Sequence, residues 1–181
     1  GVDLNAFRAY IEAEDWDGID GFLDRFQKAV CALKYTPVPV VGAPSGLAAG
    51  GGYEVLAHCD RLVVHTNSVM GLVEAGVGVV PGGGGIKDTF FRWHAAKDGW
   101  DEAAWQTWMN IGYGATGSSP QLSARMMYFR DGHDESVISR DRLLPRAIEM
   151  IGEMQDRYRP PAVPVAQLAD GALADKMEEF M

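Results

Sequence analysis

Two glutamates carry the strongest chemical signal in this sequence. Glu54 falls in what reads as the first turn of a helix, directly after Gly50, Gly51 and Gly52. Glu74 follows twenty residues on, in a run of apolar and small residues. A carboxylate in so apolar a setting is unfavourable unless it is paired or put to use. Two carboxylates facing one small site push their pKa values apart, so that one stays ionised and the other protonated. Such a pair could hold a water between them, one accepting a proton as the other gives one. The plainer alternative makes Glu54 a helix-start carboxylate that favours the dipole and Glu74 an exposed loop residue. The glycines admit two readings as well. Ahead of a helix, unpaired N–H groups converge and a glycine lets another group come close, which is the arrangement of an oxyanion hole. A tight turn would need the same glycines.

Other familiar chemistries fail on their residues. A phosphate-cradling loop ends in Gly-Lys-Ser/Thr, but Gly85 is followed by Ile86, and Lys87 by Asp88. A dinucleotide fingerprint starting at Gly76 and Gly78 meets Pro81 where its third glycine belongs. A nucleophile elbow needs Gly-x-Ser-x-Gly, and Ser45 sits one step out of register in Gly-Ala-Pro-Ser-Gly. Cys31 and Cys59 match no zinc, haem or disulfide framework, so no metal is expected and a reducing cytoplasm suits the chain. His58 and His65 have no partner at ligand spacing, and Cys59 reads as core. Sixteen basic against 25 acidic residues give a net charge of −9, which makes duplex nucleic acid and anionic membrane poor partners. No apolar run approaches the ~18 residues of a membrane-crossing helix.

The elements that must position the glutamates can be read around them. Asp3 caps a short helical segment, and from Asp17 the residues Ile19, Phe22, Leu23, Phe26, Val30 and Leu33 recur at helical steps. Tyr35-Thr-Pro-Val-Pro39 ends that helix, because Pro37 disfavours helical geometry before it. Residues 38–43 read as a buried strand, 46–52 as a glycine-rich turn, 53–59 as a helix and 61–65 as a strand. Pro81 and the four glycines after it read as a tight turn. Helices dominate from Ile86, with a Trp-rich face from Trp93 to Trp108 and a last long helix over 141–157. Strand–turn–helix–strand followed by helices indicates an α/β chain with a helical C-terminal part. The division is 1–115 for the core with its site, 116–160 for the helical and oligomerisation region, and 161–181 for a tail.

The stretch Pro39-Val-Val-Gly-Ala-Pro-Ser-Gly-Leu-Ala-Ala-Gly-Gly-Gly-Tyr-Glu54-Val-Leu-Ala-His-Cys-Asp60-Arg61 resembles the signature of the crotonase (enoyl-CoA hydratase/isomerase) superfamily. Met70-Gly-Leu-Val-Glu74-Ala-Gly-Val-Gly-Val-Val-Pro81-Gly-Gly-Gly-Gly85 continues it in register. Gly1-Val2-Asp3-Leu4 resembles the family's Gly-Ala-Asp segment, and Ile138-Ser-Arg-Asp-Arg-Leu-Leu144 the entry to its final helix. The twenty-residue step between the glutamates is the family's hydratase spacing. The Trp-rich connection and Tyr158-Arg-Pro-Pro161 resemble one branch, the hydratase module of bifunctional proteins that also carry a 3-hydroxyacyl-CoA dehydrogenase.

The resemblance implies a ClpP/crotonase-like fold of repeated ββα units with a helical C-terminal region. It implies an enoyl-CoA hydratase that adds water syn to a 2-enoyl-CoA in fatty-acid β-oxidation. The N–H groups of Gly51 and Val2 would receive the thioester oxygen, Glu54 would act as base on the water, Glu74 would protonate the α-carbon, and the Gly82 N–H would position the water. No cofactor is implied beyond the coenzyme A that the substrate carries. Homo-oligomers, a trimer or hexamer, or a fused dehydrogenase module are the implied partners. The chain starts inside the Gly-Ala-Asp segment, so the family's N-terminal strands are expected to be missing and the chain to be a piece of a longer protein. An enoyl-CoA isomerase, which needs Glu74 but not Glu54, and a non-catalytic truncated module are the alternatives.

Overall fold

The computed structural model describes residues 2–97, 99–166 and 171–180. Gly1, the head of the Gly-Val-Asp-Leu segment, and residues 167–170 and 181 of the expected tail lie outside the described residues. Two helices open the chain. In α1 (Leu4–Glu12) the Asp3 carboxylate caps the first turn by accepting the Asn5 N–H at 2.9 Å. In α2 (Trp16–Lys34) Asp15 does the same for Gly18, with Asp17 in the first turn and Lys34 in the last, each favourable to the dipole. The helix stops just ahead of Pro37, as the sequence predicts.

Each turn of the chain after that contributes one strand to each of two small sheets. The first turn gives β1 (Val41–Gly42) and β2 (Leu47–Ala49), then α3 (Gly51–Ala57). The second gives β3 (Arg61–His65) and β4 (Val69–Gly71), a single 3₁₀ turn at Glu74–Val77, and the helices α4 (Gly85–Ala96) and α5 (Trp100–Gly112). The third gives β5 (Thr116–Gly117), α6 (Pro120–Ala124) and β6 (Glu135–Val137). One sheet runs β1-β3-β6, all parallel, and the other runs β2-β4-β5, with β5 antiparallel to β4. This is the repeated ββα architecture that the resemblance implies. The glycine-rich stretch over 46–52 is not turn alone: Leu47, Ala48 and Ala49 pair with Val69, Met70 and Gly71. The β1 strand is also shorter than the predicted 38–43.

The central strand β3 is buried on both faces, as a parallel strand between layers must be. Leu62 and Val64 join Tyr53, Met70, Leu72 and Tyr128 in one cluster. Val63 faces the other way, onto Leu143, Ala147 and Met150 of α7 (Leu143–Gln155). Burying each such side chain stabilises the fold by about 1.5–3 kcal/mol. Leu143 is therefore a core residue, while Leu144 and Ile148 of the same helix are exposed. The stretch after 160 is not without pattern. The helix α8 (Gly171–Phe180) packs on α5, where Phe180 meets Trp105 and Trp108 edge-on at 5.4 and 5.8 Å and Lys176 lies over the Trp105 ring. Part of the tryptophan face is thus covered within the chain. Among the described residues no helix is long and apolar enough to cross a membrane.

Candidate active site

The β2/β4 pairing builds the site. It aligns Ala49 with Gly71, and the Gly50 N–H donates to the Gly71 carbonyl at 2.8 Å, so the start of α3 is tied to the chain leading into Glu74. Gly50 caps α3 with φ of 58°, a left-handed conformation that glycine adopts without steric penalty. The close approach there is equally demanding. A Cβ on Gly50 would lie 3.0 Å from Glu74 Oε1, so the Glu74 carboxylate rests against the N-terminal end of α3.

Glu54 is 2 % exposed, and its Oε1 accepts two backbone N–H groups, from Gly83 at 2.8 Å and from Gly85 at 2.9 Å. These donors belong to the loop entering α4 and to its first residue. The four glycines after Pro81 are therefore more than a turn: a Cβ on Gly83 would come within 2.7 Å of Glu54 Oε2 and 2.3 Å of Phe26 Cε1. Sequence reasoning missed Gly83 and Gly85. The signal was available, since a glycine run opening a helix presents free N–H groups, the logic already applied to residues 50–52.

The two carboxyls differ in how they are held. Burial raises the pKa of Glu54, with the charge of Glu74 adding to the rise, while the N–H groups of Gly85 and Gly83 oppose it. Burial also raises Glu74, its own backbone and that of Val73 opposing. Glu74 Oε2 is buried and has no hydrogen-bond partner among the described residues. A carboxyl raised by burial and left with a free oxygen is suited to carry and release a proton.

Gly51 lies beside the chain's beginning. A Cβ on it would meet Val2 Cγ2 at 3.0 Å and the Val2 nitrogen at 3.5 Å, so the backbones of Gly51 and Val2 come together at the start of α3. Gly82 precedes the two Glu54 donors; its carbonyl accepts from Gln27 Nε2 at 2.6 Å, and a Cβ on it would strike Leu23. The structure thus gathers Val2, Gly51, Glu54, Glu74 and the 82–85 loop at one end of α3, with Leu23 and Phe26 of α2 against the loop. His58 and Cys59 sit toward the other end of that helix. Both are buried, and burial pushes the Cys59 thiol up to about 11, which keeps it a poor nucleophile. Among the described residues no cluster of three or more His, Cys, Asp or Glu side chains could hold a metal ion.

An α/β spiral of ββα turns that brings two glutamates and glycine N–H groups to the start of one helix defines a class of protein with known relatives. Residues 8–93 match the family described as enoyl-CoA hydratase/isomerase. A "Probable 3-hydroxyacyl-CoA dehydrogenase" of Bacillus subtilis is 33% identical over 164 residues, 89% of this chain and 20% of that protein. The mitochondrial methylglutaconyl-CoA hydratase of Mus musculus is 39% identical over 87 residues, 48% of this chain and 26% of that protein. A solved enoyl-CoA hydratase from Polaromonas sp. JS666 superposes with a TM-score of 0.66 at 21% identity, covering 84% of this chain and 53% of that one. The chain carries the crotonase fold, and within it residues 8–93 match the enoyl-CoA hydratase/isomerase family. It spans about half the length of the solved structure and only 20% and 26% of the two curated relatives.

Proposed function

We propose that the site hydrates a 2-enoyl-CoA to a 3-hydroxyacyl-CoA. The observation that carries the reading is the unequal pair: burial raises both carboxyls, but Glu54 is held by two N–H groups that favour its charged form while Glu74 keeps a buried oxygen without a partner among the described residues. In this reading the thioester oxygen accepts the N–H groups of Gly51 and Val2. Glu54 takes a proton from a water that the Gly82 N–H helps to orient. The water oxygen bonds to the β-carbon, the double-bond electrons move toward the thioester, and the α-carbon takes the proton of Glu74 on the same face. Glu54 ends protonated and Glu74 ionised, and proton exchange with solvent restores both. Each oxyanion donor of this kind contributes roughly 2.7–4 kcal/mol to such a step.

No cofactor is needed beyond the coenzyme A of the substrate. The dehydrogenase name of the Bacillus subtilis relative supports a chain that works as the hydratase part of a longer hydratase–dehydrogenase; in this reading it acts in fatty-acid oxidation in the cytoplasm. Leu144 and Ile148 of α7 are the surface through which it would meet other copies or the second module. An isomerase would use Glu74 without Glu54, and the buried double anchoring of Glu54 favours the hydratase.

The test is turnover of crotonyl-CoA by the whole protein and its variants. Glu54→Gln and Glu74→Gln are each expected to lower hydration by ~10²–10⁴ while acyl-CoA binding is kept, because the shape is retained and only proton transfer is lost. The double variant is expected to be little worse than either single one, since both groups serve one step. Full hydration by Glu54→Gln would overturn the assignment of Glu54. An isomerase would instead lose 3-enoyl-CoA turnover in Glu74→Gln alone.

A further inference from the structure

Behind Glu54 lies a chain of buried polar groups that the proposed reaction does not touch. The His58 Nδ1–H donates to the Glu54 carbonyl at 2.7 Å, one helical turn back, and the ring is fully enclosed. Its Nε2 faces Asp88 Oδ2 at 2.9 Å, and Asp88 Oδ1 is paired with Lys34 Nζ of α2. Asp88 stands in the first turn of α4, the helix whose opening N–H groups hold the Glu54 carboxylate. The ring also underlies that opening. A Cβ on Gly84, where φ is 97°, would lie 3.0 Å from His58 Cε1 and 3.1 Å from Nε2.

These contacts close a ring: Glu54 carbonyl, His58, Asp88, the start of α4, the Gly83 and Gly85 N–H groups, and the Glu54 carboxylate. We propose that His58, held by Asp88 and Lys34, is a positioning residue that sets the 83–85 loop against Glu54 and so governs how readily Glu54 accepts a proton. The inference rests on the reading of Glu54 as the base.

The Gly83 and Gly85 N–H groups favour the ionised carboxylate against burial, so any loosening of α4 relative to α3 raises the affinity of Glu54 for a proton. Next, His58 Nε2 and Asp88 Oδ2 lie 2.9 Å apart and neither has another hydrogen-bond partner among the described residues, so the contact between them is what fixes the ring. Burial above all, opposed by the Glu54 carbonyl and helped by Lys34, Lys87 and Arg92, brings the His58 imidazolium down to about 4. Asp88 faces both His58 and Lys34 and so spans α2, α3 and α4. A side chain held this way is rigid, and rigidity beneath a base is what orientation requires.

The test compares His58→Ala, the milder His58→Asn, Asp88→Ala and Asp88→Asn in the whole protein. His58→Ala and Asp88→Ala are expected to lower kcat for crotonyl-CoA roughly tenfold with KM nearly unchanged, as a misplaced base does. The acid limb of the kcat profile is expected to move to higher pH by about half a unit. His58→Asn is expected to fall between His58→Ala and the parent. Asp88→Asn is expected to restore most of the rate, because an amide can still bridge His58 and Lys34. The carboxyl-¹³C titration of Glu54, assigned by its loss in Glu54→Gln, is expected to shift the same way and needs no turnover. Unmoved limbs and titrations in His58→Ala, or lost rate that merely tracks a lowered melting temperature, would overturn the inference. A parent protein that hydrates nothing would defeat the hydratase reading instead, and the ¹³C titration would then decide the role of His58 by itself.

Discussion

The two ends of α3 hold buried charge in opposite ways. At the C-terminal end Arg92 is 8 % exposed, and its guanidinium donates to the Tyr53 hydroxyl at 2.9 Å and to the carbonyls of Ala57 and Met127 at 3.1 and 3.2 Å. Arg130 beside it bonds the Asp60 carbonyl and the Asp134 carboxylate at 2.8 Å each. The Ala57 carbonyl marks the negative end of the α3 dipole, so the Arg92 cation is doubly favoured there. At the N-terminal end the charges are carboxylates, one anchored only through Oε1 and the other with a buried oxygen that has no partner among the described residues. A buried charge with its donors taken holds structure together. A buried charge with spare capacity is placed to react.

The first way to break this contrast is to cut the structural end. Arg92→Met strands the Tyr53 hydroxyl and the carbonyls of Ala57, Met127 and Tyr128 in the core, so unfolding in urea is expected to show a loss of roughly 3 kcal/mol or more. Gln at Glu54 or Glu74 is expected to leave stability far less changed. A tolerated Arg92→Met would mean that this end is not the fold's anchor. The second cut is at the reactive end. Gly83→Ala places its Cβ 2.3 Å from Phe26 Cε1 and 2.7 Å from Glu54 Oε2, so hydration is expected to fall about ten- to a hundredfold. Gly76→Ala has nothing within 4 Å of its Cβ and is expected to keep full rate. Equal rates for the two variants would remove the 83–85 loop from the site.

The third prediction sharpens the electrostatics and is the smallest. Both glutamates have folded-state pKa values above the ordinary 4.5, because burial disfavours their charge. Folding therefore favours the protonated forms, so the destabilisation is present above the folded pKa and is relieved as pH falls through it. Relative to a Glu54→Gln/Glu74→Gln double variant, the melting temperature of the parent is expected to gain on lowering pH from 7 toward 5. Glu135 moves oppositely, since its hydrogen bond to Arg146 lowers its pKa, which is why the comparison with the double variant is needed. A parent and double variant that run parallel through that range would show that neither carboxyl is raised.

The reactive end was legible because its parts are forced by type. Only glycine tolerates the backbone at Gly50 and the approach of Glu74, and only a carboxylate does the proposed proton work, so composition and spacing show through. The α2 helix was equally plain, its apolar repeat and Pro37 stop being local signals. The structural end was not legible. Arg92 is one arginine among many until the fold carries Ala57 and Met127 to it, and its contact with Tyr53 spans 39 residues of chain. His58 and Asp88 meet only because α3 and α4 pack side by side. The β2 strand hid inside a glycine run because Leu47, Ala48 and Ala49 include no β-branched or aromatic residue to mark it as a strand. The α8 helix is short and half polar, and Trp105 and Trp108 supply what its own sequence lacks.

The central claim is that Glu54 and Glu74 together deliver water and a proton across a carbon–carbon double bond. It is tested most directly by turning over crotonyl-CoA with the whole protein in deuterium oxide and reading the product by NMR. One deuterium at the α-carbon and a hydroxyl at the β-carbon are expected, both formed at the parent rate only when the two glutamates are intact. A product that exchanges deuterium without gaining the hydroxyl, or turnover at the parent rate in Glu54→Gln, would contradict it.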